Sequence, residues 1–275
     1  MLLRPALWAL ALLPVVAKED GDKARQAPSY AASSAVNLAS GRPFGIAPNT
    51  LVALMGRDLS FSTRARQDSD LSGGVLPVTL PGTGVTVTVN GLLTPVEYVS
   101  PEVVVFAIPA EFAPGPASIV LARNGIAGPA VRVDLQQYAP ALFESSNGWV
   151  LARHASSLRW VSETEPATPS EVVIFYATGL GPTIPPQLSR RAPRAPSPLA
   201  DPSLLAVRVG GNSVSPDQIS YAGATEGLPG MYEIRVKLAD STQDDPEVEL
   251  GMGEMADTRI LRLPLRNQLP PRHVQ

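Results

Sequence analysis

Two stretches of this chain follow one pattern. Pro48–Leu59 reads PNTLVALMGRDL and Pro169–Leu180 reads PSEVVIFYATGL. Behind each comes an alternating apolar run that ends in a glycine turn, VTVTVNG up to Gly91 and LAVRVGG up to Gly211. A tyrosine follows each turn, Tyr98 and Tyr221, and then a further strand-like run. A repeat of this period duplicates one structural unit, so architecture is constrained before any single residue is interpreted.

Within each unit the apolar residues alternate with period two, and helical periodicity is scarce. In the first unit strands are predicted at Thr50–Met55, Val85–Val89, Val96–Val99, Val103–Ile108, Ala117–Leu121 and Val131–Leu135. Asn90-Gly91, Pro114-Gly115 and Asn124-Gly125 supply turns; Asn-Gly tolerates the positive backbone dihedrals of a tight hairpin. In the second unit strands are predicted at Leu142–Glu144, Val172–Tyr176, Ala206–Val209, Gln218–Tyr221, Tyr232–Val236, Glu247–Leu250 and Arg259–Leu263, with a hairpin through Trp149–Leu151 and Leu158–Val161. Short strands at this spacing, in units of about 100 residues, describe antiparallel sandwiches of the immunoglobulin type. The predicted fold class is all-β, two tandem immunoglobulin-like antiparallel β-sandwich domains after a signal peptide. Boundaries are drawn at 1–17 for the signal peptide, 18–35 for a flexible leader, 36–137 and 138–266 for the sandwiches, and 267–275 for a disordered tail. Long insertions at matching places, Arg57–Leu80 and Gly181–Pro202, are expected to be loops on one face of each unit.

The export signal rests on Arg4, the apolar run Ala6–Val16 and the small residues before Lys18, with cleavage expected after Ala17. The apolar run is short for a membrane span, and no later stretch is long and apolar enough. The chain has no cysteine. That excludes disulfides, thiolate metal sites, cysteine nucleophiles and attachment of a lipid through cysteine. Charge is nearly balanced, 22 basic against 25 acidic residues, so no nucleic-acid partner is expected. The basic cluster Arg190, Arg191 and Arg194 lies in RRAPRAPSP, whose prolines predict an extended, solvated loop.

Sites of chemistry are sparse. The two histidines are His273, in the proline-rich tail, and His154, read as a solvated turn residue; no Gly-x-Ser-x-Gly elbow accompanies them. Gly179-Leu180-Gly181 is followed by Pro182 rather than by Lys-Ser, so it reads as a turn and not as a phosphate loop. Asp68-Ser69-Asp70 and Asp244-Asp245 lack the further oxygen ligands of a calcium loop. No catalytic residue, cofactor or metal is therefore expected. Trp8 falls in the signal peptide, leaving Trp149 and Trp160 as candidate ligand contacts, since aromatic pairs stack on sugars or anchor protein partners. The competing reading buries them in a core.

Several motifs resemble an uncharacterised C-terminal domain family of secreted proteins from Solibacter and related acidobacteria. They are Ala47-Pro48, Gly56–Leu59, Val207–Gly211, Tyr221-Ala222-Gly223, Gly230–Val236 and the linker Tyr138–Phe143. Asn49 and Ser170 stand where that family has glycine, Ala177 replaces another glycine, and Glu233 and Arg235 replace Gln and Asn. Val103–Phe106 has lost the corresponding polar residues altogether. The resemblance implies immunoglobulin-like repeats and no established activity. The combined expectation is an exported, non-enzymatic binding or structural module of the cell envelope, periplasmic, cell-surface or extracellular, whose partner is an envelope protein or a polysaccharide. The alternative is an extracellular carbohydrate-active enzyme with carboxylates in a cleft between the two domains.

Overall fold

The computed structural model describes residues 26–193 and 196–267. The expected signal peptide, Arg194, His273 and nearly all of the tail lie outside them.

The first copy contains β1 (Ala35–Asn37), β2 (Leu51–Met55), β3 (Arg64–Ala65), β4 (Val85–Val89), β5 (Leu92–Thr94), β6 (Val96–Val99), β7 (Val103–Ala107), β8 (Gly115–Arg123), β9 (Ile126–Ala127) and β10 (Val131–Leu135). They form two sheets, ordered β1-β2-β7-β6-β3 and β10-β8-β4-β5, with β9 beside β8. The second copy contains β11 (Ala141–Leu142), β12 (Glu144–Ser146), β13 (Trp149–Val150), β14 (Ala152–His154), β15 (Val172–Thr178), β16 (Ser197–Pro198), β17 (Leu205–Val209), β18 (Asn212–Ser213), β19 (Ile219–Ala224), β20 (Tyr232–Lys237), β21 (Glu247–Met252), β22 (Met255–Ala256) and β23 (Leu261–Arg262). Its sheets run β11-β15-β20-β19-β16, with β14 on β15, and β12-β13-β23-β21-β17-β18, with β22 on β21. Lettering β1, β2, β4, β6, β7, β8 and β10 as A to G gives sheets ABED and GFC, the immunoglobulin arrangement. β11, β15, β17, β19, β20, β21 and β23 repeat it. The protein is thus two tandem immunoglobulin-like β-sandwiches.

The correspondence reaches single residues. Asn49 and Ser170 both take left-handed backbone, φ 59° and 65°, a conformation that glycine adopts without strain. Asp58 and Gly179, also matched in the repeat, do the same at φ 57° and 73°. Register shifts occur between Val96 and Tyr98 and between Ile219 and Tyr221, placing a bulge before the repeat tyrosine in each copy.

The sandwiches pack on each other through their equivalent sheets. Val52, Leu54, Val104 and Phe106 point into the first core, while Val173, Phe175, Tyr232 and Ile234 point into the second. The alternate residues form a third buried cluster: Leu51, Ala53, Val105 and Ala107 from one copy with Ile174, Tyr176, Leu228 and Met231 from the other. This is why β2, β7 and β15 read as continuous apolar runs while β4 and β10 alternate. Strands buried on both faces need no polar side. Val103 and Val105, which match Glu233 and Arg235 of the second copy, face the neighbouring sandwich, where apolar side chains pack.

Polar bonds fix this contact. The Leu51 amide donates to Thr178 Oγ1 at 3.0 Å, and Asn49 Nδ2 donates to the Tyr232 hydroxyl at 2.6 Å. Arg66 and Glu97, wholly buried, pair at 2.7 Å, and Arg66 also donates to the Gly227 carbonyl at 2.8 Å. The two long insertions meet each other: Leu76 N donates to Arg190 O and Ala192 N to Gly74 O. They clamp the copies together, where solvated loops were expected.

Two further expectations are corrected. The leader predicted over 18–35 gives way to ordered chain well before Val36. Ser29 exchanges both backbone hydrogen bonds with Arg57, and Tyr30 is buried, its hydroxyl accepting from Leu121 N at 2.7 Å. The ring fills the end of the first core, which small-residue composition around it concealed. The hairpin predicted through Trp149–Leu151 is instead built on β14. His154 N donates to Arg159 O, Val161 N to Ala152 O, and Arg153 bridges Trp160. Trp149 belongs to the other sheet, opposite Ser146 and beside Arg262.

Candidate functional site

Although Trp149 and Trp160 belong to different sheets, they line one open depression of about 210 Å³ on the second sandwich. Its rim carries Ser145, Ser146, Ser162 and Glu163, and Leu151 and Pro264 contribute apolar wall. Both indoles are half-buried. The depression therefore offers two flat apolar faces surrounded by hydroxyls and one carboxylate, which suits a ligand with alternating C–H and O–H groups.

Trp160 is held from beneath. Its bridge to Arg153 places the guanidinium carbon 4.0 Å from the ring centroid, and Tyr176 meets it edge-on at 6.0 Å and 61°. Burial pushes the Tyr176 hydroxyl up to about 12, against a smaller opposing effect of the Arg153 charge and hydrogen bond. The row continues in register across the sheet, Arg153 to Ile174, Ile174 to Arg235 and Arg235 to Tyr221. Arg235 lies 5.3 Å over the Tyr221 ring and is paired with Glu233 at 2.6 Å. Sequence reading missed Arg153. The available signal was its parity: it lies two residues beyond buried Leu151 and so shares that residue's face of the strand.

His154, expected in a solvated turn, is buried. Nδ1 meets Glu171 Oε1 and Nε2 lies 3.3 Å from the Glu165 carbonyl. Glu171 Oε2 in turn accepts from Thr168 N at 3.0 Å. These bonds tie the base of the Trp160 hairpin to β15, a positioning role rather than a nucleophile's base.

Two clefts separate the sandwiches on either side of the linker. One, of about 280 Å³, is lined by Phe112, Tyr138, Asn49, Gln187 and Asp201; the other, of about 300 Å³, by Arg42, Phe44, Met255 and Asp257. Among the described residues Asp201 is the sole carboxylate lining the first, and Asp257 in the second is engaged by Arg259 at 2.7 Å. Neither cleft presents the pair of carboxylates that glycoside hydrolysis requires. Among the described residues no cluster of three or more His, Asp or Glu could hold a metal, and no helix is long and apolar enough to cross a membrane. Asp70 pairs with Arg64, and Asp245 with Arg266, which accounts for one carboxylate of each acidic run.

No family model matches the chain, and no curated protein matches it. Among solved structures it is similar to the Bacteroides ovatus mixed-linkage glucan utilization locus SGBP-B in complex with a mixed-linkage heptasaccharide, at 15% identity and TM-score 0.32, covering 82% of this chain and 44% of that one. It is also similar to the surface glycan-binding protein PbSGBP-B of Prevotella bryantii, at 11% identity and TM-score 0.24, covering 87% and 42%. Domains 5-6 of the S-layer protein SbsC match at 9% identity and TM-score 0.27, covering 88% of this chain and all of that fragment. The chain spans less than half the length of the first two. Scores this low assign neither a family nor a ligand.

Proposed function

We propose that this protein is an exported, non-enzymatic binding module of the cell envelope and that it recognises polysaccharide at the depression formed by Trp149 and Trp160. The observation that carries the reading is convergence. Two tryptophans from different sheets, the only two outside the expected signal peptide, line one open surface rimmed by serine hydroxyls and a carboxylate. Trp160 packs part of its ring against the cluster shared by the two copies, but neither indole is enclosed and both keep an open face. Stacking of an aromatic side chain on a sugar ring buries apolar area, while hydroxyls satisfy the ring substituents. The rigid packing of the two copies supplies a preorganised base. Membership of the acidobacterial secreted-domain family belongs to the same proposal, and so does a position outside the inner membrane.

The test is retention of the mature protein on a panel of immobilised envelope and extracellular polysaccharides, repeated with Trp149→Ala and Trp160→Ala. Selective retention lost in both variants supports the reading. Retention unchanged in the double variant removes the depression from consideration, and turnover of a retained polymer would replace the reading with the enzymatic one.

A further inference from the structure

Beneath the proposed sugar-stacking surface lies a cation with no carboxylate partner among the described residues. Arg153 is only 8% exposed, yet its Nε and one terminal nitrogen are buried without a hydrogen-bond partner among the described residues. Its interactions are the Trp160 ring at 4.0 Å and the Tyr176 hydroxyl. The carboxylates of the surrounding elements are committed elsewhere: Glu233 to Arg235, Glu171 to His154, and Glu165 to Arg159. Glu163, on the rim of the depression, acts on Arg266. Arginine cannot escape this situation by losing a proton. Buried donors without acceptors are strongly disfavoured, and the rare exceptions call for a functional explanation. A position that needed only to support Trp160 and pack against Ile174 would be better filled by an apolar side chain of similar length.

We propose that the two unpartnered nitrogens of Arg153, buried beside the Trp160 ring, become an anion subsite of the tryptophan depression when that ring moves, and that the ligand is an acidic polysaccharide whose sugar carboxylate is received there. The proposal rests on the polysaccharide reading above and narrows it to a charged class. The fork geometry of guanidinium matches a carboxylate, and a charge-assisted pair in so dry a site is stronger than one at the surface. Trp160 covers one face of the guanidinium, so its ring shifts as the carboxylate enters and stacks on the same sugar. Binding consequently changes the emission of Trp160.

The experiment titrates the mature protein with galacturonan oligomers and with the same oligomers after reduction of their carboxyl groups to alcohols, following tryptophan emission and calorimetric affinity. The wild type should prefer the acidic oligomers by tenfold or more, and added salt should narrow that preference. Arg153→Met, which also alters the support of Trp160, should weaken binding of the acidic oligomers at least tenfold more than that of the reduced ones, so that the preference disappears. It should also raise the melting temperature, because an unpaired buried charge is removed. Since Met also removes a charge that acts on the Tyr176 hydroxyl, the comparison is repeated as R153M/Y176F against Y176F. Arg153→Lys, which keeps charge but loses the fork, should retain part of the preference. Equal affinity for both oligomers, or an R153M/Y176F protein less stable than Y176F with its preference intact, overturns the anion subsite. If neutral polysaccharides on the wider panel bind and galacturonan does not, the general reading stands and the acidic one falls. If no polysaccharide is bound, both fall together.

Discussion

Ile174→Ala probes how the two sandwiches are joined. Ile174 is 3% exposed at the centre of β15, and its side chain belongs to the cluster shared by the two copies rather than to the core of its own sandwich. Truncating a buried isoleucine to alanine costs about 2–5 kcal/mol, the spread reflecting how far the site can collapse. Collapse is restricted here, because Leu51, Ala53 and Val105 opposite are held by the ladders of their own sheet. A value near 3 kcal/mol is therefore expected. For a cooperative unit of 150–250 residues each kcal/mol lowers Tm by about 2–4 °C, giving a fall of roughly 6–12 °C. Differential scanning calorimetry checks this, and the shape of the transition matters as much as its position. With the interface serving as a third core, wild type and variant each unfold in one transition whose calorimetric and van't Hoff enthalpies agree. Arg208→Ala, on an exposed side chain of the outer sheet, should stay within about 0.5 kcal/mol. Two separate transitions in the wild type, or a loss below about 1 kcal/mol for Ile174→Ala, would refute the reasoning.

Other outcomes follow from single contacts. Gly179→Ala should prevent folding or cost several kcal/mol: its φ is 73°, and a Cβ there would lie 2.0 Å from the Ala139 carbonyl oxygen. Asp58→Gly, at the matching place in the first copy, should cost about 1 kcal/mol by thermal denaturation: relief of left-handed strain offsets the added freedom of the unfolded chain, but buried Arg123 loses the carboxylate that acts on it. Tyr232→Phe should destabilise by about 1–3 kcal/mol in urea unfolding, because it deprives buried Asn49 of the nearer of its two acceptors and the Gly181 carbonyl of its donor. Alkaline stability should depend on Tyr176, whose folded-state value, about 12, lies above the usual 10.0. Its contribution is fully present below pH 10 and is lost as pH rises through 12, because the unfolded chain releases the proton first. Tyr176→Phe should flatten that part of the stability curve.

The repeat made the scaffold legible because the constraints on it are local. Glycine turns, period-two runs and the tyrosine after the bulge all act within one copy, and β4, β6 and β10 lie where the pattern places them. The packing of one copy on the other was harder to read. Its signal, the unbroken apolar runs Leu51–Leu54 and Val103–Ala107, also suits a strand buried within a single sandwich. Very short strands such as β3 and β9 leave no periodicity to detect. Trp149 and Trp160 were visible as candidates, but their convergence comes from two different sheets and is set by pairings far apart in sequence, such as Trp149 with Arg262. Arg153 was only half legible: its parity with Leu151 assigns it a face of the strand, but LARHA gives no hint that its charge lies beneath a ring contributed by the other arm of a hairpin. His154 looked solvated because Glu171, its partner, is 17 residues away.

The most direct test of the account is a titration of intrinsic tryptophan emission with the polysaccharide that the protein retains. In protein produced without residues 1–17, the expected signal peptide, Trp149 and Trp160 are the only tryptophans, and both line the proposed site. The account predicts a saturable change in emission whose midpoint agrees with the calorimetric affinity, with Trp149→Ala and Trp160→Ala each weakening binding by tenfold or more. Tight binding with unaltered emission, and with full affinity in the double variant, would place the ligand elsewhere and contradict the central claim.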